Sequence, residues 1–138
     1  MNTVELSFNF SINFLSIIKS TATKMHLTHS QALCVCAIPF NGISQSDLAN
    51  KLSIDISTLS RNLEKLIKLN IISKTNSYLD RRSYKIQLTD NGVEVYNDFI
   101  FLIQSQLKTS YEKLSLDEIE SLEDILNKLN WELSLLKK

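Results

Sequence analysis

The sequence predicts a mostly α-helical protein with one small β-hairpin, and three observations lead there. Only two glycines and one proline occur in 138 residues, so helix breakers are few. Apolar residues recur at three- and four-residue spacing along most of the chain. The rhythm changes once, between residues 71 and 88, where two short, partly β-branched runs flank a polar, basic loop. An apolar content of 43% suffices for one substantial core, and a single unit is expected. The longest unbroken apolar run, residues 33–40, is far short of the ~20 residues that span a bilayer, and the start of the chain has no signal-peptide pattern. A cytoplasmic protein is the expectation.

The first helix is expected over residues 4–24, where Phe10, Phe14 and Ile17 share one face, widened by Leu15, Ile18, Ala22 and Met25. Thr28, with Gln31 three residues later, forms a capping box that opens a second helix, and Pro39 helps to end it. Residues 32–38 are apolar on every side, which places that helix at the centre of the protein. Asn41-Gly42 makes a turn, and Ser44 caps a short third helix ending near Leu52. After the turn Ser53-Ile54-Asp55, Asp55 caps a fourth helix over residues 56–69, whose stripe is read as Ile56, Leu59, Leu63 and Leu66. Two helices joined by a three-residue turn make a helix-turn-helix. Residues 71–76 and 83–88 follow as a hairpin wing.

Thr89 caps a fifth helix running to about residue 111, or ~33 Å. Ser115 and Glu118 form another capping box ahead of a last helix in which Ile119, Leu122, Leu126, Leu129, Leu133 and Leu136 follow a narrow seam. Such a seam wants a partner helix. The organisation expected is therefore one unit, with residues 27–89 as a winged helix-turn-helix and residues 1–26 and 90–138 as a helical dimerisation region.

The net charge of zero hides an uneven distribution. Residues 51–87 hold eight basic side chains against three acidic, a local +5, whereas residues 88–138 hold five against ten, a local −5. Such a footprint suits phosphate, although a solvated charged face fits the counts equally well. Placement on the fold decides. With the leucine stripe turned inward, 100° per residue puts Ser57, Thr58, Arg61, Lys65 and Lys68 outward, with Ser60 and Asn62 at the margins. Arginine can bond guanine O6 and N7, asparagine can do the same to adenine, hydroxyls serve bases or phosphates, and lysines neutralise phosphate. Lys74 on the first wing strand is a further phosphate candidate. The wing loop carries Asp80, Arg81 and Arg82, where a guanidinium would reach a narrow, negative minor groove and Asp80 would orient it.

The segments Leu27-Thr28-His29-Ser30-Gln31, Ser46-Asp47-Leu48-Ala49, Ile56-Ser57-Thr58-Leu59-Ser60-Arg61, Leu63-Glu64-Lys65-Leu66, Ile71-Ile72, Asp80-Arg81-Arg82-Ser83 and Leu88-Thr89-Asp90-Asn91-Gly92 resemble, in order and spacing, the MarR family of winged helix-turn-helix transcriptional regulators. The resemblance covers residues 27–92. It implies a dimer that sets two recognition helices in successive major grooves of a pseudo-palindrome, with Asp80 and Arg82 working in the minor groove. Glycine is more usual in the family where Asn70 stands, and an asparagine in the left-handed region accommodates the change.

Many members of that family release DNA on meeting a small aromatic acid, an oxidant or a metal, so a small-molecule effector is a candidate partner. The two cysteines, Cys34 and Cys36, are neither a disulfide framework nor a four-cysteine zinc site. Two apart on a helix, they point about 200° away from each other. Both read first as small core residues and second as candidate redox residues, a role that requires partial exposure and a lowered pKa. His26 and His29 have a spacing that could supply two metal ligands, but no partner ligand is identifiable, and capping or surface roles are the commoner reading. No cofactor is implied. The sequence has no phosphate loop, nucleophile elbow or His-Glu-x-x-His motif, so an enzyme is not expected. The expectation is a homodimeric repressor that binds double-stranded DNA. The rival is a winged-helix protein-interaction module, an anti-repressor or co-regulator that does not itself bind DNA.

Overall fold

The computed structural model describes residues 1–76 and 83–137. Its elements are α1 (Thr3–Lys24), α2 (His29–Ala37), β1 (Ile43–Ser44), α3 (Gln45–Leu52), α4 (Ile56–Lys68), β2 (Ile72–Asn76), β3 (Tyr84–Leu88), α5 (Asp90–Tyr111) and α6 (Leu116–Leu135). They divide into two compact units, Met1–Ile103 and Gln104–Lys138. The division falls inside α5 because Gly92, Phe99 and Ile103 bury the first part of that helix in the first unit.

Local capping sets most helix starts. Asn2 and Glu5 cap α1 reciprocally, Thr28 and Gln31 do the same for α2, and Ser115 and Glu118 for α6. Ser44 accepts the Asp47 N–H at the start of α3, and Thr89 accepts the Gly92 N–H at the start of α5. α2 is the hub of the first unit, packed on α1, α3 and α4. Ala32, Cys34, Val35, Ala37 and Ile38 are buried there, as the all-round apolar sequence of this helix requires. The rest of the core comes from Leu48, Leu59, Leu63, Leu66, Ile72 and Ile86, each closed off from solvent.

The hairpin is present, and it gains a strand. β2 and β3 pair antiparallel with Ile72 opposite Leu88 and Asn76 opposite Tyr84, while β1 adds to the other edge of β3 with Ile43 opposite Ile86. The order is β1-β3-β2. Two residues are too few to show a period, so β1 was not foreseeable from alternation. A turn delivers it, in which the Gly42 N–H donates to the Pro39 carbonyl and Gly42 takes φ +90°, a conformation glycine adopts without penalty. Asn70 lies at φ 56°, in the left-handed region expected of it.

In the second unit α6 has no buried residue; Leu126, Leu129, Trp131, Leu133, Leu135 and Leu136 are all exposed. In the first unit, Val4, Leu6, Phe8, Phe10 and Ile12 of α1 are exposed as well. Among the described residues no helix is long and apolar enough to cross a membrane.

Candidate nucleic-acid interface

The helix-turn-helix is held rigidly at its turn. α3 ends at Ser53 in the left-handed region, with the Ser53 N–H bonded to the Asn50 carbonyl and the Ile54 N–H to that of Ala49. Asp55 then caps α4, taking the Thr58 N–H at 2.7 Å and the Ser57 hydroxyl at 2.6 Å on the same carboxylate oxygen. Those bonds favour the charged form, the Ser57 hydroxyl most, and hold the carboxyl down from 3.8 to about 2, with Arg61 adding attraction. Across the motif the buried Gln45 amide donates to the Ser60 hydroxyl at 2.8 Å, tying α3 to α4.

Only three of the four positions assigned to the inward stripe of α4 are inward. Leu59, Leu63 and Leu66 are buried, whereas Ile56 is 52% exposed. A correction follows from geometry: Ile56 is three residues before Leu59, about 60° off its direction, and as the first residue of α4 it has no preceding turn to cover it. It opens instead onto a cleft of about 490 Å³ shared with Gln45, Ser46, Ser60, Lys74, Ser83 and Tyr84, between α3, α4 and the hairpin.

Opposite the leucines, Ser57, Arg61, Lys65 and Lys68 are exposed together on one face, and Thr58 is half-buried at its edge, 3.5 Å from an Arg61 guanidinium nitrogen. Ser60 and Asn62 are half-buried on the flanks; the Ser60 hydroxyl is turned to Gln45 rather than outward. Lys74 is exposed on β2, with its ammonium 4.2 Å above the Tyr84 ring. Lys74 faces Ile86 across the ladder and Tyr84 is two residues along, so this is a diagonal cross-strand pair, which steadies a long cationic side chain. Asp80, Arg81 and Arg82 lie outside the described residues.

The far end of α4 is bonded to the start of α5. The Thr89 hydroxyl donates to the Asn70 carbonyl at 2.6 Å, and its backbone N–H to that of Ile71 at 3.0 Å. The Asn91 amide donates to the carbonyls of Asn70 at 3.1 Å and Leu69 at 3.4 Å. Sequence reading assigned Thr89 only a capping role. The long-range half of its work depends on which carbonyls the fold brings beside it.

The thiols do not meet the requirements of a redox pair. Cys34 is buried, Cys36 half-buried, and desolvation pushes them up to about 12 and about 11. A sensing thiol needs the opposite shift. Among the described residues no cluster of three or more His, Cys, Asp or Glu could hold a metal; His26, at φ 59°, belongs to the turn that ends α1, and His29 is exposed in the first turn of α2.

A helix-turn-helix with a buried leucine stripe, followed by an antiparallel hairpin on the same core, defines a winged helix-turn-helix protein. Residues 27–84 match the model of the MarR family. It is 31% identical over 93 residues to the uncharacterized HTH-type transcriptional regulator YfiV of Bacillus subtilis, an alignment covering 67% of this chain and 58% of that protein. The chain thus spans little more than half the length of the curated relatives it matches. Its fold is that of wild-type MarR from E. coli in its apo form, at TM-score 0.80 and 21% identity, covering 94% of this chain and 96% of that one. A mutant MarR from E. coli complexed with operator DNA matches at TM-score 0.70 and 22% identity, covering 91% of each chain.

Proposed function

We propose that this chain is a sequence-specific, double-stranded-DNA-binding transcriptional regulator, a repressor acting as a homodimer on a pseudo-palindromic operator. One observation carries the reading. α4, the second helix of the motif, turns Ser57, Arg61, Lys65 and Lys68 to solvent on the side opposite three buried leucines. That face suits a major groove. Arg61 and Asn62 read base edges, with Ser57, Thr58 and Ser60 contributing hydroxyls. Lys65 and Lys74 hold phosphates, and Asp80, Arg81 and Arg82 serve the minor groove. That a mutant MarR of the same fold is complexed with operator DNA supports DNA as the partner. The exposed apolar residues of α1 and α6 support a dimer, since an apolar surface of that extent favours burial against a partner.

Selection of bound duplexes from a random pool at near-physiological salt tests the reading. An inverted repeat with half-site centres about 10–11 base pairs apart is expected. Affinity should fall with salt at a logarithmic slope of about 0.9 per phosphate contacted. A folded dimer that enriches nothing would point instead to the protein-interaction module.

A further inference from the structure

Glu64 is the only acidic residue in α4, and its position conflicts with a surface that serves phosphate alone. Counting 100° per residue from the centre of the buried Leu59, Leu63 and Leu66 stripe, it lies within about 50° of the outermost direction, beside Arg61 and Lys68. The side chain is exposed. Arg61 is three residues before it and Lys68 four after it, both at spacings that favour ion pairs on a helix, yet the structure pairs it with neither. Asp55, the nearest other carboxylate in sequence, is committed to the helix cap. Glu64 is therefore an uncommitted acceptor on the groove-facing side.

We infer that Glu64 is a base-reading residue that selects cytosine, an inference that rests on the DNA-binding reading above. An ionised carboxylate offers only acceptors. In the major groove it meets a favourable partner in the N4 amino group of cytosine, whereas guanine presents O6 and N7, thymine presents O4, and adenine sets N7 beside its N6 amino group. Cytosine alone offers a donor with no acceptor next to it. Three residues of helix rise are about 4.5 Å, close to one base-pair step, so Glu64 addresses a pair neighbouring the one Arg61 reads. A carboxylate near phosphate also weakens binding to every sequence. Glu64 thus exchanges general affinity for discrimination.

The test is selection from a random duplex pool with the full-length wild type, Glu64→Gln and Glu64→Ala. Wild type is expected to prefer cytosine by about five- to twentyfold at one position per half-site, beside the position that levels in Arg61→Ala. In Glu64→Gln that preference moves to adenine, which a carboxamide can bond at N6 and N7. In Glu64→Ala it disappears while binding to random DNA tightens. Identical base preferences in all three proteins would overturn the role of Glu64 and leave the DNA-binding reading intact. A wild type that enriches no sequence would overturn both.

Discussion

Gly92→Ala sets two opposed effects against each other within α5. In an ordinary helix the change stabilises by about 0.5–1 kcal/mol, because glycine loses more backbone freedom on folding. Here an added Cβ would collide with the Ile71 carbonyl oxygen, with the Ile71 carbonyl carbon at 3.0 Å and the Leu88 Cβ at 3.3 Å. The oxygen is not free to retreat, since it accepts the Thr89 N–H at 3.0 Å and lies 3.1 Å from the Thr89 hydroxyl. Overpacking costs about 1–3 kcal/mol, and a collision with bonded backbone belongs at the upper end. The net expectation is a loss of about 2 kcal/mol, or about 8 °C in Tm for a chain of this size. Thermal unfolding followed by circular dichroism measures it. An unchanged or raised Tm would show that helix propensity prevails and that the approach of α5 to Ile71 is loose.

Leu63→Ala, which empties a position 1% exposed between α4 and the core, should cost about 2–5 kcal/mol, read as a shift in denaturant midpoint. Arg61→Ala should cost about 1–3 kcal/mol in operator binding and relax preference at one base pair per half-site, whereas Lys74→Ala should weaken all sequences alike and lower the salt slope by about 1. Equal losses on every sequence would make Arg61 a phosphate contact. Asp55 has its folded pKa lowered, so its contribution is present above the ordinary 3.8 and is lost as pH falls toward about 2; NMR titration should find its carboxyl ionising near the lower value. Ionisation near 4 would mean that the cap is open in solution. Cys34, buried and raised to about 12, should react with a disulfide reagent at neutral pH only after denaturation, whereas the half-buried Cys36, raised to about 11, should react slowly in the native protein; rapid native labelling of Cys34 would contradict its burial.

The legible features were those whose cause is local. Thr28 with Gln31, Ser44, Asp55, Thr89 and Ser115 with Glu118 all cap as their spacing indicates, because a cap needs only the next turn of chain. Asn2 and Glu5 cap α1 by the same chemistry, at a spacing equally visible in the sequence. Ile56 was misplaced because periodicity identifies a stripe more readily than its terminal member. Ser60 and Gln45 find each other across 15 residues, Lys74 finds Tyr84 through strand register, and Gly92 meets Ile71 through the docking of α5 on the segment that leads into β2. None of these pairings is encoded in spacing. Glu64 could have been singled out, as the one carboxylate among outward cations on α4.

The bonds from Thr89 and Asn91 to the carbonyls of Leu69, Asn70 and Ile71 have a mechanical consequence. The carbonyls just past the end of α4, which water would otherwise solvate, are occupied by donors from the start of α5, while the last carbonyls of α4 itself, those of Lys65, Leu66 and Ile67, accept the N–H groups of Leu69, Ile71 and Asn70. The end of α4 and the start of α5 are thus tied through one short stretch of chain. A force that swings the start of α5 would act on the end of α4 through those bonds. Freeing α4 to turn by itself would first require breaking that set of bonds.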